Sequence, residues 1–113
     1  SDVCSSDLTV RLAERARSGA ITQEEISGGT FSVSNLGMYG IDEFAAVIMP
    51  PQAAILAVGA VADRPVVRDG QLAVARTMRA TLSCDHRVVD GAYAAQFLGE
   101  LRRVLENPVL MLV

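Results

Sequence analysis

The sequence predicts an α/β chain, and three observations carry that prediction. Apolar residues recur at helical spacing near both ends of the chain. Between them lie runs rich in β-formers or small apolar residues, punctuated by glycine, proline and asparagine. In the middle, Asp69-Gly70 is a strong two-residue hairpin signal. With 113 residues the chain has the size of one domain, enough to bury roughly two-thirds of the surface its unfolded form exposes. Half of its residues are hydrophobic but only 4% are aromatic, so the core must be built from Ala, Val, Leu, Ile and Met.

Leu8, Leu12 and Ala16 mark one face of a helix of about three turns, which Ser18-Gly19 stops. Thr22 and Glu25 form a capping-box pattern, so Thr22 to Ile26 reads as one helical turn. After Gly28-Gly29, the run Thr30-Phe31-Ser32-Val33-Ser34 alternates polar and apolar residues and predicts a strand. Asn35-Leu36-Gly37 and Tyr39-Gly40 supply the turns that follow. Ala53 to Ala60 is apolar on both faces, as expected of a strand covered on both sides. Asp69-Gly70 then joins Pro65–Arg68 to a strand beginning at Gln71, whose alternation continues up to Asp85-His86 and predicts one long arm. Beyond Gly91 the period becomes helical: Ala94, Phe97, Leu98, Leu101, Val104 and Leu105 share a face. Asp90 is the natural N-cap of that helix and Asn107-Pro108 ends it. The apolar tail Val109 to Val113 is costly to expose and is expected to dock.

Bulk properties exclude several classes of function. A net charge of −3 and well-mixed charges argue against a nucleic-acid partner. One histidine and two distant cysteines, Cys4 and Cys84, give no metal-ligand spacing, so no metal is expected. Two cysteines make no disulfide framework either, which points to a reducing compartment. The first residues lack the basic-then-apolar order of a signal peptide. Phe44 to Ala62 carries no charge and is about as long as a membrane span. Pro50-Pro51 in its middle would break a helix where lipid offers no replacement hydrogen bonds, so a buried interior or subunit interface explains it better than a membrane.

The residue that points to chemistry is His86, the only histidine. It stands between a predicted strand end and a capped helix, in the run Ser83-Cys84-Asp85-His86-Arg87-Val88-Val89-Asp90-Gly91-Ala92. Such a junction can hold a general base rigidly at the rim of a sheet, and imidazole suits proton transfer near neutral pH. A purely structural histidine is the competing explanation. Asp90 reads first as a plain helix cap, a role that can hold together with organising the loop that carries His86. Cys84 is open to two roles, a nucleophile beside His86 or a small buried hydrophobe.

That run closely resembles the active-site motif of the 2-oxo acid dehydrogenase acyltransferases. Two further segments resemble the same family in the same order: Gly28-Gly29-Thr30-Phe31-Ser32-Val33-Ser34-Asn35-Leu36-Gly37-Met38-Tyr39-Gly40-Ile41 and Pro50-Pro51-Gln52-Ala53-Ala54-Ile55-Leu56-Ala57-Val58-Gly59. The wording Ser34-Asn35-Leu36-Gly37 is similar to the pyruvate branch. The resemblance implies a chloramphenicol-acetyltransferase-like two-layer sandwich, a mixed sheet with helices on one side, here an incomplete portion. It implies acetyl transfer between dihydrolipoamide and coenzyme A in a pyruvate dehydrogenase complex whose core the protein also forms. His86 would take the proton of the coenzyme A thiol, Ser34 would hydrogen-bond the oxyanion, and Asp90 would hold the active-site loop. Coenzyme A or acetyl-CoA is then a substrate, and lipoamide is carried on a separate domain.

The family places histidine and serine face to face across a trimer interface and stacks trimers into large cores, partly through an apolar C-terminus. The implied partners are therefore a homotrimer within such a core, lipoyl domains, and the pyruvate dehydrogenase and dihydrolipoamide dehydrogenase components through other regions. No nucleic acid and no membrane is implied. The implied compartment is the bacterial cytoplasm or, second, the mitochondrial matrix. A full domain of this family is about twice as long, so residues 8–113 are expected to be its C-terminal part and residues 1–7 a non-family junction. Three alternatives stay open: a non-catalytic core fragment, a branched-chain or succinyl specificity, and a chloramphenicol acetyltransferase.

Overall fold

The computed structural model describes residues 5–112. Its elements run α1 (Ser5–Arg17), β1 (Ser32–Asn35), β2 (Ala54–Val58), β3 (Ala62–Arg68), β4 (Gln71–Thr77), β5 (Ala80–Cys84) and α2 (Gly91–Glu106), with short 3-10 turns at Gly37–Tyr39 and Pro108–Leu112. Cys4, and with it any pairing to Cys84, lies outside the described residues.

Three strands form a mixed sheet in the order β1-β2-β5. β1 runs parallel to β2, and β2 antiparallel to β5. A parallel neighbour demands a long return path, which the loop from Leu36 to Ala53 supplies. β2 lies in the centre, and its Ala54, Ile55, Leu56 and Ala57 are the buried hydrophobic residues among those described. The two-sided apolar pattern of that segment thus has its expected meaning. α2 covers one side, where Phe97 meets Phe31 with ring centroids 5.8 Å apart.

β3 and β4 form a separate two-stranded hairpin, paired from Ala62 with Thr77 to Arg68 with Gln71. Asp69 and Gly70 both have positive φ, as the tight turn between right-twisted strands requires. The long single arm expected from Gln71 to Asp85 is corrected here. The chain leaves the hairpin after Thr77, and at Ala80 it enters the other sheet as β5. Arg79 lies at the crossing, with its carbonyl accepting from the Gly59 N–H at 2.9 Å. Alternation survives a change of sheet because it reports an extended backbone, not the strand's partner.

The early helix begins at Ser5, ahead of the first periodic leucine. The capping box forms reciprocally: the Thr22 N–H donates to the Glu25 carboxylate at 2.8 Å and the Glu25 N–H donates to Thr22 Oγ1 at 3.3 Å. It closes a turn rather than a regular helix. The Thr22 N–H, with Arg15 behind it, holds the Glu25 carboxyl below the usual range. β1 starts at Ser32, two residues later than Thr30, and extends to Asn35.

The segment that leads into the uncharged stretch is tied across the end of β2. The Ala60 N–H donates to the Ile41 carbonyl at 2.8 Å, and a Cβ on Gly59 would collide with the carbonyl of Asp42. Asp42 also pairs with Arg64 and Arg79. The loop is therefore held by backbone contact and charge at its entrance.

Candidate active site

β5 ends at Cys84, but its pairing continues one step further, with the Asp85 N–H donating to the Ala53 carbonyl at 2.8 Å. The chain then turns. The Asp85 carbonyl accepts the N–H groups of Val88 and Val89, each at 2.9 Å. His86 is exposed on this turn. Asp90 has an extended backbone and its Oδ1 accepts the Tyr93 N–H at 2.8 Å, which caps the N-terminus of α2. A single side chain thus ends the turn and starts the helix. The cap role of Asp90 is the one visible within the chain.

Ser34 sits half-buried on β1, opposite Ala57 of β2, and Ala57 in turn faces Thr81 of β5. His86 lies beyond the other end of β5, past the pairing of Cys84 with Ala54. From that register the two are about five residues apart along the strands, about 16 Å, and two strand spacings across, about 10 Å. The structure does not bring Ser34 to His86 within one chain. The end of β1 is nonetheless fixed: Asn35 Oδ1 accepts the Gly37 N–H at 2.9 Å. A Cβ on Gly37 would come within 2.9 Å of the Gly59 carbonyl oxygen, so glycine permits the close approach.

Cys84 lines an apolar cavity of about 200 Å³ under the first turns of α2, with Phe31, Val89, Tyr93 and Phe97 among its walls. These surroundings favour the small-hydrophobe role. A larger groove, about 940 Å³, runs between the hairpin and the later turns of α2, past Val66, Met78, Leu98 and Leu105. None of His86, Ser34 or Asp90 lines it. No group of three or more potential metal ligands occurs among the described residues. No helix among them is long and apolar enough to cross a membrane.

One residue of consequence escaped the sequence argument. Asp85 grips Arg87 through two carboxylate oxygens, with Nη2 to Oδ2 at 2.7 Å and Nε to Oδ1 at 3.0 Å. Its Oδ1 also accepts the Arg87 N–H at 3.0 Å. The guanidinium, followed by that backbone N–H, pulls the Asp85 carboxyl down to about 2. The clue was present as opposite charges two residues apart at a strand end, on either side of the histidine.

The family model for the catalytic domain of 2-oxoacid dehydrogenases acyltransferase matches residues 6–113. The dihydrolipoyllysine-residue acetyltransferase component of the pyruvate dehydrogenase complex of Rickettsia conorii is 51% identical over 102 residues, covering 90% of this chain and 25% of the relative. The dihydrolipoamide acetyltransferase of Azotobacter vinelandii has been studied for the role of a serine, a histidine and an asparagine in its catalytic mechanism. It superimposes with a TM-score of 0.88 at 34% identity, over 94% of this chain and 44% of that one. The cubic core of the pyruvate dehydrogenase multienzyme complex matches with a TM-score of 0.88, also at 34% identity and over 94% and 44% of the two chains. The chain spans about a quarter of the length of the curated relative and under half that of the solved structures.

Proposed function

The chain belongs to the 2-oxoacid dehydrogenase acyltransferase family, and on that premise we propose that the protein transfers an acetyl group between dihydrolipoamide and coenzyme A within a pyruvate dehydrogenase complex. The observation that carries this reading is an exposed imidazole on a turn pinned to the central strand, accompanied by Ser34 and Asp90 at informative positions. The intervals between Ser34, His86 and Asp90 along the chain equal those between the serine, histidine and asparagine studied in the Azotobacter enzyme. Asp90 departs from that asparagine. Both side chains present an oxygen suited to capping a helix, so the departure leaves the positioning role intact.

His86 accepts the proton of the coenzyme A thiol, because a thiolate and not a thiol is the effective nucleophile. With that proton removed, the sulfur can attack the thioester carbonyl of S-acetyldihydrolipoamide. Ser34 donates its hydroxyl hydrogen bond to the charge that develops on the carbonyl oxygen. His86 then returns the proton to the departing dihydrolipoamide sulfur. Asp90 acts at a distance, by fixing where the turn enters α2.

Ser34 and His86 stand at opposite ends of one sheet, so a working site needs His86 from one copy and Ser34 from another. That requirement favours a trimer within a larger core. It also gives the exposed tail residues Val109, Met111 and Leu112 a surface to meet in the assembly. Lipoyl domains would deliver the acyl group, and the pyruvate dehydrogenase and dihydrolipoamide dehydrogenase components would complete the complex. The compartment in this reading is the bacterial cytoplasm, with the mitochondrial matrix second. The test is acyl transfer to dihydrolipoamide by the full-length protein, offered acetyl, succinyl and branched-chain CoA thioesters in turn. Acetyl should be transferred fastest, and a protein that leaves acetyl-CoA untouched would overturn the proposal.

A further inference from the structure

We propose that Asp85 is a positioning residue for His86, acting through a clamp that closes the turn around the imidazole. The inference rests on His86 being the base in the reading above, and it concerns what makes that base rigid.

Asp85 uses every polar group it has. Its N–H is fixed to Ala53 at the edge of the central strand, at 2.8 Å. Its carbonyl takes the N–H groups of Val88 and Val89 at 2.9 Å each. Its Oδ1 takes the Arg87 N–H at 3.0 Å, a side-chain turn that mimics a backbone turn. Both carboxylate oxygens take the Arg87 guanidinium in a two-point grip, the geometry that adds direction as well as strength. Residues 87, 88 and 89 are thus all tied back to the residue that precedes His86. The Asp85 side chain is largely sheltered, 22% exposed, whereas Arg87 is 87% exposed. An arginine this open gains little stability from its ion pair, since exposed pairs contribute little. The grip therefore matters most for the geometry of the loop it closes.

An exposed imidazole held only by its backbone has two free torsions, and the backbone turn sets where both begin. Loosening that turn changes how often the imidazole points at the thiol and removes no side chain assigned above to either substrate. The expected kinetic signature is a fall in kcat with little change in KM.

The experiment uses the full-length, assembled protein and compares Asp85→Ala, Asp85→Asn, Arg87→Gln and His86→Ala in acetyl transfer. Asp85→Ala, which loses both the turn oxygen and the ion pair, should lower kcat by about 10- to 100-fold, with KM for both thiols within about twofold. Asp85→Asn keeps an oxygen for the Arg87 N–H and should lose less. Arg87→Gln should match Asp85→Asn, and the double variant should be no worse than either, because both remove one shared interaction. Should Asp85→Ala fail to assemble, the two milder variants, Asp85→Asn and Arg87→Gln, decide. Unchanged kcat in Asp85→Asn and Arg87→Gln overturns the proposal. So does a loss that appears as raised KM or as a dissociated core, which would mark a merely structural residue. His86→Ala separates the two levels: if it is inactive while the clamp variants are normal, only the clamp fails, and if it is active, the functional reading fails.

Discussion

Mixing two inactive chains should restore activity, and the amount restored is set by where Ser34 and His86 stand. Within one chain they are about 16 Å apart along the strands and about 10 Å apart across them, far beyond hydrogen-bond reach. In the proposed mechanism a site must then combine His86 of one copy with Ser34 of the next. His86→Ala chains assembled alone lack the base in every site. Ser34→Ala chains assembled alone lack the oxyanion donor in every site, which costs about 10²–10³ in kcat. When the two are unfolded together, mixed in equal amounts and reassembled, half the chains carry a histidine and half a serine. In a cyclic assembly about one site in four then receives both intact side chains. Acetyl transfer from acetyl-CoA to dihydrolipoamide should rise to about a quarter of the wild-type rate, well above either variant alone. Mixed assemblies no more active than the separate variants would refute the shared site and the register argument behind it.

Two further outcomes follow from the turn and its cap. Asp90→Ala removes the oxygen that accepts the Tyr93 N–H, so the fold should lose about 0.5–2 kcal/mol, seen as a lower denaturation midpoint. Asp90→Asn should recover most of that loss. The Asp85 carboxyl is held at about 2, against an ordinary value near 3.8, chiefly by the Arg87 guanidinium. Because its folded pKa is depressed, its contribution is complete above about pH 5 and is lost as the pH falls from about 4 through 2. Thermal melting of wild type and Asp85→Asn should therefore differ by a small constant amount above pH 5, and the gap should shrink as the pH falls through 2. A gap of undiminished size at pH 2 would contradict the ionic origin of the clamp.

Local signals carried most of what could be read from the residues. The Asp69-Gly70 turn, the Asp90 cap and the small apolar run of β2 each have a cause confined to a few neighbours, and each lies where expected. The long arm from Gln71 to Asp85 failed because pairing partners are chosen by the whole sheet. Nothing local to Met78-Arg79 announces that β5 joins β2 while β4 stays with β3. In β4 the larger residues Leu72 and Val74 also face outward, with the smaller Ala73 and Ala75 half-buried, so residue size alone misjudges the covered side. The candidate site divides in the same way. His86 at a strand–helix junction was legible from order along the chain. Its distance from Ser34 was not, since that depends on the register of three strands at once. The grip of Asp85 on Arg87 was hidden because charges two residues apart meet only when the backbone turns between them.

The most direct measurement is the rate of acetyl transfer from acetyl-CoA to dihydrolipoamide by the assembled full-length protein with His86 replaced by alanine. A positioned general base contributes about 10²–10⁴ in rate, so His86→Ala should lose at least about 100-fold in kcat while the core still assembles. An assembled His86→Ala protein that transfers acetyl at the wild-type rate would contradict the assignment of this histidine as the base.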